Sequence, residues 1–228
     1  MRIGLVSDIH SNLHALDAVL EDMDRQGVDT IMCTGDIVGY CALPDEVVGR
    51  LMKRGVSCVK GNHDHAATGG RMDGFNSYAQ AGVVFSRDAL TEPRIAFLRQ
   101  LPESRKERFG DIVVSLYHGS PADPLYEYVF PDELADREKE FSQIDASPVV
   151  VLGHTHVPTV YRGTQTYVNP GSVGQPRDRD PRASYAILET QGIDVQIRRV
   201  PYDVEGAAEA IVSKGLPRYL AERLFYGT

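Results

Sequence analysis

Five short apolar runs in this chain each stop at a cluster of Asp, Asn or His, and that repeated pattern narrows the folds open to it. The runs are residues 2–7, 29–34, 56–60, 111–117 and 148–152. Each has the length and β-branched content of a buried strand. Amphipathic stretches separate the first three. Leu13, Leu16, Val19, Leu20 and Met23 form one helical stripe, with Gly27 placed to end it. Pro44 opens a second helix with Val47, Val48, Leu51 and Met52 inward and Gly55 after it. Residues 66–104 read as helical pieces broken at Gly69, Gly70, Gly74 and Pro93, and residues 131–142 as a helix opened by Pro131. Strands alternating with helices indicate an α/β layered domain.

Beyond residue 156 the pattern changes. Residues 158–162, 165–168, 183–189 and 193–200 read as strands without intervening helices, which predicts an antiparallel section. Val204, Ala207, Ala208, Ile211 and Val212 form a last stripe, and residues 218–225 a short terminal helix. There is no repeat, low-complexity segment or linker. Residues 1–228 are therefore read as a single domain of two packed sheets flanked by helices.

The strand ends carry the chemistry. They read Asp8-Ile9-His10, Gly35-Asp36, Gly61-Asn62-His63-Asp64, His118-Gly119 and Gly153-His154-Thr155-His156. In open α/β sheets ligands bind outside the carboxyl ends of strands, so these groups can converge. Gly35, Gly61 and Gly153 precede them, where the chain must turn and approach closely. In Asp8-x-His10 and His154-x-His156, an extended backbone would point both side chains the same way. Five of the seven histidines lie at these ends, while His14 and His65 lack that support. Imidazole, carboxylate and amide oxygen without thiolate suit Mn, Fe, Zn, Ni or Co.

Bulk properties bound the rest. The net charge is −8, which argues against non-specific nucleic-acid or anionic-membrane binding and requires a local attraction for any anionic substrate. Cys33, Cys41 and Cys58 form no C-x-x-C pair and imply free thiols. No apolar stretch approaches the ~20 residues of a membrane span. With no signal-peptide pattern at the start, the expected location is the cytoplasm.

The ordered blocks D-x-H, G-D, G-N-H-D, H and G-H-x-H resemble the calcineurin-like metallophosphoesterase superfamily. They occur here between Ser7 and His156, in the family's order. Asn169-Pro170-Gly171-Ser172 is similar to a feature of its small bacterial and archaeal phosphodiesterase branch. The resemblance implies a four-layer α-β-β-α sandwich of two mixed sheets with two divalent transition-metal ions at the strand ends, Mn or Fe before Zn, Ni or Co. It implies Asp8, His10 and His156 on the first metal, Asn62, His118 and His154 on the second, and Asp36 bridging them. It places His63 beside the leaving-group oxygen rather than on a metal. One departure is informative. The Ser/Thr protein phosphatases of the superfamily carry G-D-x-V-D-R-G, whereas this chain reads Gly35-Asp36-Ile37-Val38-Gly39-Tyr40-Cys41. It lacks their supporting aspartate and phosphate-holding arginine, which weakens a protein-phosphatase reading.

The function expected is a dinuclear-metal-dependent phosphodiesterase acting on a small or nucleotide-like substrate. In it a metal-bridging hydroxide would attack phosphorus and His63 would act as general acid. Asp64 is the second catalytic candidate, orienting His63 or standing behind it. Tyr40 and Arg177 are the substrate-binding candidates, Arg177 being preferred over Arg179 and Arg182 and set against a solvated loop with Asp178 and Asp180. Tyr126, Tyr128 and Phe130 read as a core patch in preference to a border of the site. The rivals are a phosphomonoesterase and a non-catalytic scaffold. The sequence does not specify the oligomeric state.

Overall fold

The computed structural model describes residues 1–228. In chain order the first elements are β1 (Arg2–Val6), α1 (Leu13–Arg25), β2 (Thr30–Cys33), α2 (Pro44–Arg54), β3 (Ser57–Cys58) and α3 (Asn62–Ala67). They are followed by α4 (Ser77–Ala89), α5 (Glu92–Gln100), β4 (Ser104–Phe109), β5 (Ile112–Tyr117), α6 (Leu134–Ile144) and β6 (Val149–Val151). The last part contains β7 (Thr159–Arg162), β8 (Thr166–Asn169), β9 (Ala183–Glu189), β10 (Asp194–Val200), α7 (Val204–Ser213) and α8 (Arg218–Glu222), with a short 3-10 turn at Arg223–Phe225.

The strands form two five-stranded sheets ordered β10-β9-β1-β2-β3 and β4-β5-β6-β8-β7. Both are mixed. β1, β2 and β3 are parallel, with β9 and β10 added antiparallel. β5, β6 and β8 are parallel, with β4 and β7 antiparallel at the edges. The expected antiparallel section after residue 156 holds for the β7–β8 and β9–β10 pairs, while β8 also pairs in parallel with β6. That strand enters beside β6 in parallel because a turn through β7 has already reversed the chain.

Alternation along the strands builds the layers. Ile3, Leu5 and Met32 of the first sheet meet Val114, Leu116, Val149, Val151 and Val168 of the second in a dry layer between the sheets. The opposite side chains, among them Val6, Ile31, Cys33 and Ile187, pack under α1, α2, α4 and α5. On the outer face of the second sheet Tyr117, Val150 and Tyr167 receive Leu134 and Phe141 of α6. The result is the four-layer α-β-β-α sandwich. Two residues assigned to helix stripes lie outside it: Met52 and Val212 are 38% and 51% exposed. Each sits at the edge of its stripe, within the last turn of its helix.

The strand β4 was not legible. Its sequence, Ser104-Arg-Lys-Glu-Arg-Phe109, has no apolar alternation, and it is held by pairing with β5 along an edge. Charged side chains on an edge strand also block further pairing.

Candidate metal centre

The parallel strands of both sheets deliver their carboxyl ends to one place. Asp8 and His10 follow β1, Asp36 follows β2, and Asn62 opens α3 just after β3. His118 follows β5, and His154 and His156 follow β6. All seven side chains are buried. Asp8 Oδ1 lies 3.3 Å from His156 Nε2 and 3.8 Å from His10 Nε2. Asp36 Oδ2 lies 3.6 Å from His10 Nε2 and 3.5 Å from His118 Nε2, between the two groups. His154 Nδ1 is 2.9 Å from His118 Nε2. Two three-residue sets, Asp8–His10–His156 and Asp36–His118–His154, are each close enough to hold one ion. A third set joins His10, Asp36 and His63.

The backbone differs from the extended course expected for the D-x-H and H-x-H pairs. Asp8, His10, Asp36, His154 and His156 all have positive φ, between 48° and 66°. A non-glycine residue held there costs about 1–3 kcal/mol, and such positions cluster at functional sites. Here each loop doubles back directly after its strand, which turns successive side chains inward. Cross-loop bonds fix that course: Asp8 N–H donates to Gly35 O at 3.0 Å and His10 N–H to Asp36 O at 2.9 Å. Gly61 is required by contact, since a Cβ there would fall on the main-chain nitrogen and Oδ1 of Asp36.

The donor set fits metal ions for a reason visible in its hydrogen bonds. His10 Nδ1 faces Val38 O at 3.2 Å, His118 Nδ1 faces Thr34 O at 3.0 Å and His156 Nδ1 faces Gln175 O at 2.6 Å. A carbonyl only accepts, so each Nδ1 carries the proton and each Nε2 is left as a bare lone pair. Those lone pairs face one another: His10 Nε2 and His156 Nε2 are 3.1 Å apart. Asp8 Oδ1 has no hydrogen-bond partner. Asn62 Oδ1 also points at acceptors, and only a turned amide could donate, to His118 Nε2 and Asp36 Oδ2 at 3.0 and 3.1 Å. Acceptors converging without protons repel unless a cation lies among them.

Electrostatics point the same way. Burial holds His10, His63 and His154 well below the ordinary imidazole value and lowers His118 and His156, so the rings are neutral as ligands must be. Burial raises Asp36 well above the carboxylate range, and the charges of Asp8 and Asp64 add to it. Burial is also the largest influence on Asp8, but His156, His118 and His10 together pull it below its usual value. A nearby cation favours the charged form of both carboxylates.

His63 stands beside the centre. Its ring packs 4.7 Å from Tyr40 and 4.7 Å from Phe75, and its Nε2 is 4.0 Å from Asp36 Oδ2. Asp64 does not orient it, because His63 Nδ1 has no hydrogen-bond partner. The Asp64 carboxylate instead accepts from Ile37 N–H at 2.9 Å, Val38 N–H at 3.1 Å and Gly61 N–H at 2.9 Å. It ties the loop after β2 to the start of α3. Burial lifts its carboxyl to about 7, against the pull of those N–H groups. Replacing Asp64 with Ala leaves three buried donors unpaired, at about 1–3 kcal/mol each. A melting temperature lowered by several degrees, with activity lost in proportion to folded fraction, is the expected result. An unchanged melting temperature would count against this role.

The substrate candidates converge. The Arg177 guanidinium lies over the Tyr40 ring at 5.6 Å, and Tyr40 packs 4.7 Å from His10. Arg182 pairs with Asp180 away from the centre, at 52% and 26% side-chain exposure. Tyr128 corrects the core-patch expectation for its loop: it is 48% exposed and stacks on His154 at 3.7 Å. Tyr126 and Phe130 are exposed as well. The loop buries Leu125 and Val129 instead, and its turn is fixed by Ser120 Oγ accepting from Ala122 and Asp123 N–H at 3.0 Å. His14 and His65 lie outside the site; His14 faces Asp203 at 3.7 Å.

Two supporting residues had no role assigned from the sequence. Asn169 Nδ2 donates to Gly153 O at 2.8 Å and Thr155 Oγ1 at 3.0 Å, holding the loop that carries His154 and His156. Ser172 Oγ donates to Asp8 O at 2.7 Å. The Asn169-Pro-Gly-Ser172 segment therefore clamps loops from the two sheets together. Its signal was the motif itself, but its partners lie far away in the chain.

A two-sheet sandwich gathering buried His and Asp at its strand ends defines an α/β protein with a metal site of the phosphoesterase type. The chain belongs to the calcineurin-like phosphoesterase superfamily, whose domain model matches residues 1–192. An uncharacterized protein of Methanocaldococcus jannaschii is 37% identical, over 99% of this chain and 98% of its own length. A phosphodiesterase of Escherichia coli is 27% identical over 86% of this chain and 91% of its own. The crystal structure of a metallophosphoesterase from Sphaerobacter thermophilus has a TM-score of 0.86 and 36% identity, covering 100% of this chain and 99% of that one. No helix is long and apolar enough to cross a membrane.

Proposed function

We propose that this chain is a dinuclear-metal-dependent phosphodiesterase acting on a small or nucleotide-like substrate. One observation carries the diester preference. Aromatic walls stand on both sides of the centre, Tyr40 against His10 and His63 and Tyr128 against His154. That suits a phosphorus with an organic group on each side, which a diester has and a monoester lacks. The E. coli phosphodiesterase supports the same class.

On this reading Asp8, His10 and His156 would hold one ion, Asn62, His118 and His154 the other, and Asp36 would be shared by both, with Mn or Fe the favoured metals. When bound, such ions supply Lewis acidity toward the phosphate and lower the pKa of water. The chain's own residues do the rest. The backbone carbonyls of Val38, Thr34 and Gln175 keep three imidazoles in the tautomer that presents Nε2. Arg177 and Tyr40 hold the phosphate and its ester group. His63, as the general acid, gives a proton to the departing oxygen. Residues 1–228 act as one catalytic domain, since both sheets supply the same site. The buried free thiols Cys33, Cys41 and Cys58 suit a reducing compartment such as the cytoplasm.

The test is a matched pair of substrates on metal-loaded protein. Bis(p-nitrophenyl) phosphate is expected to exceed p-nitrophenyl phosphate in kcat/KM by about tenfold or more, some 1.4 kcal/mol in the barrier. A faster monoester would favour a phosphomonoesterase. Hydrolysis of neither, with metals bound, would leave a non-catalytic scaffold.

A further inference from the structure

Next to the centre lies a cavity of about 360 Å³ whose lining includes Tyr40, Tyr128, Arg177, Tyr219 and Arg223. It falls at the small end of the range for small-molecule sites, about 300–1,000 Å³. Its walls include the two rings, Tyr40 and Tyr128, that pack on the metal-site imidazoles, so it adjoins the centre. No carboxylate lines it.

That is unexpected in a chain of net charge −8. Three arginines nearby in sequence pair with acids: Arg182 with Asp180, Arg199 with Asp178 and Arg218 with Glu222. Arg177 and Arg223 pair with no acidic side chain. Arg177 Nη2 donates to Gln175 Oε1 at 3.0 Å and Tyr40 Oη at 3.4 Å, while its Nε is buried without a partner. Arg223 uses Nε on the main-chain oxygen of Thr228 and lies 5.5 Å over the Tyr219 ring. Burial, and then the charge of Arg177, lowers the Arg223 pKa. The amino end of α4 borders the same cavity through Asn76 and Ser77, where Asn76 Oδ1 caps the Tyr78 and Ala79 N–H groups and no acidic residue occupies the first turn. Two half-buried guanidiniums without a carboxylate partner favour an anion.

We propose that this cavity binds a second, non-scissile phosphoryl group of the substrate at Arg223, with Arg177 shared between it and the scissile phosphate. The substrates are then phosphodiesters of the nucleotide type that carry a further phosphate, with the organic part against the tyrosines. This rests on the phosphodiesterase reading above. It adds Arg223 as a specificity-determining residue contributed by the turn after α8.

The test compares a dinucleotide bearing a 5′-phosphate with the same dinucleotide lacking it, on the metal-loaded full chain. The phosphorylated form is expected to have about tenfold higher kcat/KM, mostly through KM. Arg223→Gln is expected to bring that ratio toward one, and Arg223→Lys, which keeps the charge but not the planar fork, to leave it intermediate. Cleavage of both dinucleotides at equal kcat/KM by the wild-type protein would overturn the inference and leave the phosphodiesterase reading intact. If neither is cleaved, that reading fails, and equilibrium binding of the same two dinucleotides decides the inference. About tenfold tighter binding of the phosphorylated one to wild type than to Arg223→Gln sustains it, and equal binding overturns it.

Discussion

Replacing Asp36 with Asn is expected to lower metal affinity by more than about 100-fold, beyond what loss of an outer hydrogen-bond partner usually costs, and to abolish hydrolysis with it. The substitution keeps size and shape. An Asn Oδ1 can still accept the His63 N–H bond, which Asp36 Oδ1 now receives at 2.9 Å. What disappears is the negative charge at Oδ2, the atom lying within 3.6 Å of both His10 Nε2 and His118 Nε2. Two cations held side by side need an anion between them more than they need any single imidazole. Misfolding is separable from this effect. Asp36 is a buried carboxyl whose ionisation is opposed by burial and by Asp8 and Asp64, so without metal the variant should melt no lower than wild type in chelator. A variant with full metal content and full activity would remove Asp36 from the bridging position.

The second large effect belongs to His63. His63→Ala is expected to keep both metals and lose about 10²–10⁴-fold in rate on esters with poor leaving groups, the usual contribution of a general acid. With a nitrophenolate leaving group, which departs without a proton, the loss should be far smaller. The geometry explains why the metals stay: His63 Nε2 is 4.0 Å from Asp36 Oδ2, and its ring is held by Tyr40 and Phe75. Burial keeps the free imidazole neutral, with Arg177 adding to the effect. The negative phosphate of a bound substrate acts in the opposite sense and favours the proton the reaction needs. An equal loss for good and poor leaving groups would contradict proton donation, and loss of metal would make His63 a ligand through the His10–Asp36–His63 set.

The parts of this molecule that can be read from sequence are those with a local cause. Buried strands such as Val149–Val151 carry their apolar pattern in the chain, and α2 is framed by Pro44 and the left-handed Gly55. The convergence of Asp8, Asp36, His118 and His156 is legible because the carboxyl ends of parallel strands collect at one end of each sheet. What could not be read depends on distant partners. β4 exists because β5 offers it an edge, not because Arg105 to Arg108 favour a strand. Tyr128 faces the site only because Leu125 and Val129 are drawn into the core behind it. Asp64 looked like a partner for His63 from adjacency, yet its carboxylate turns toward Ile37 and Val38. The left-handed backbone at His10 and His156 also has no local signature, since no glycine stands at either position to mark it.

We propose that the strand-end cluster holds two metal ions on one set of ligands. The direct measurement is the metal stoichiometry of chelator-stripped protein reloaded with Mn, read by elemental analysis and repeated on His118→Ala and His156→Ala. Two ions per chain are predicted for the wild-type protein, with each substitution removing tight binding at its own set. Zero or one ion per wild-type chain at saturation, in protein that hydrolyses a phosphodiester, would contradict it.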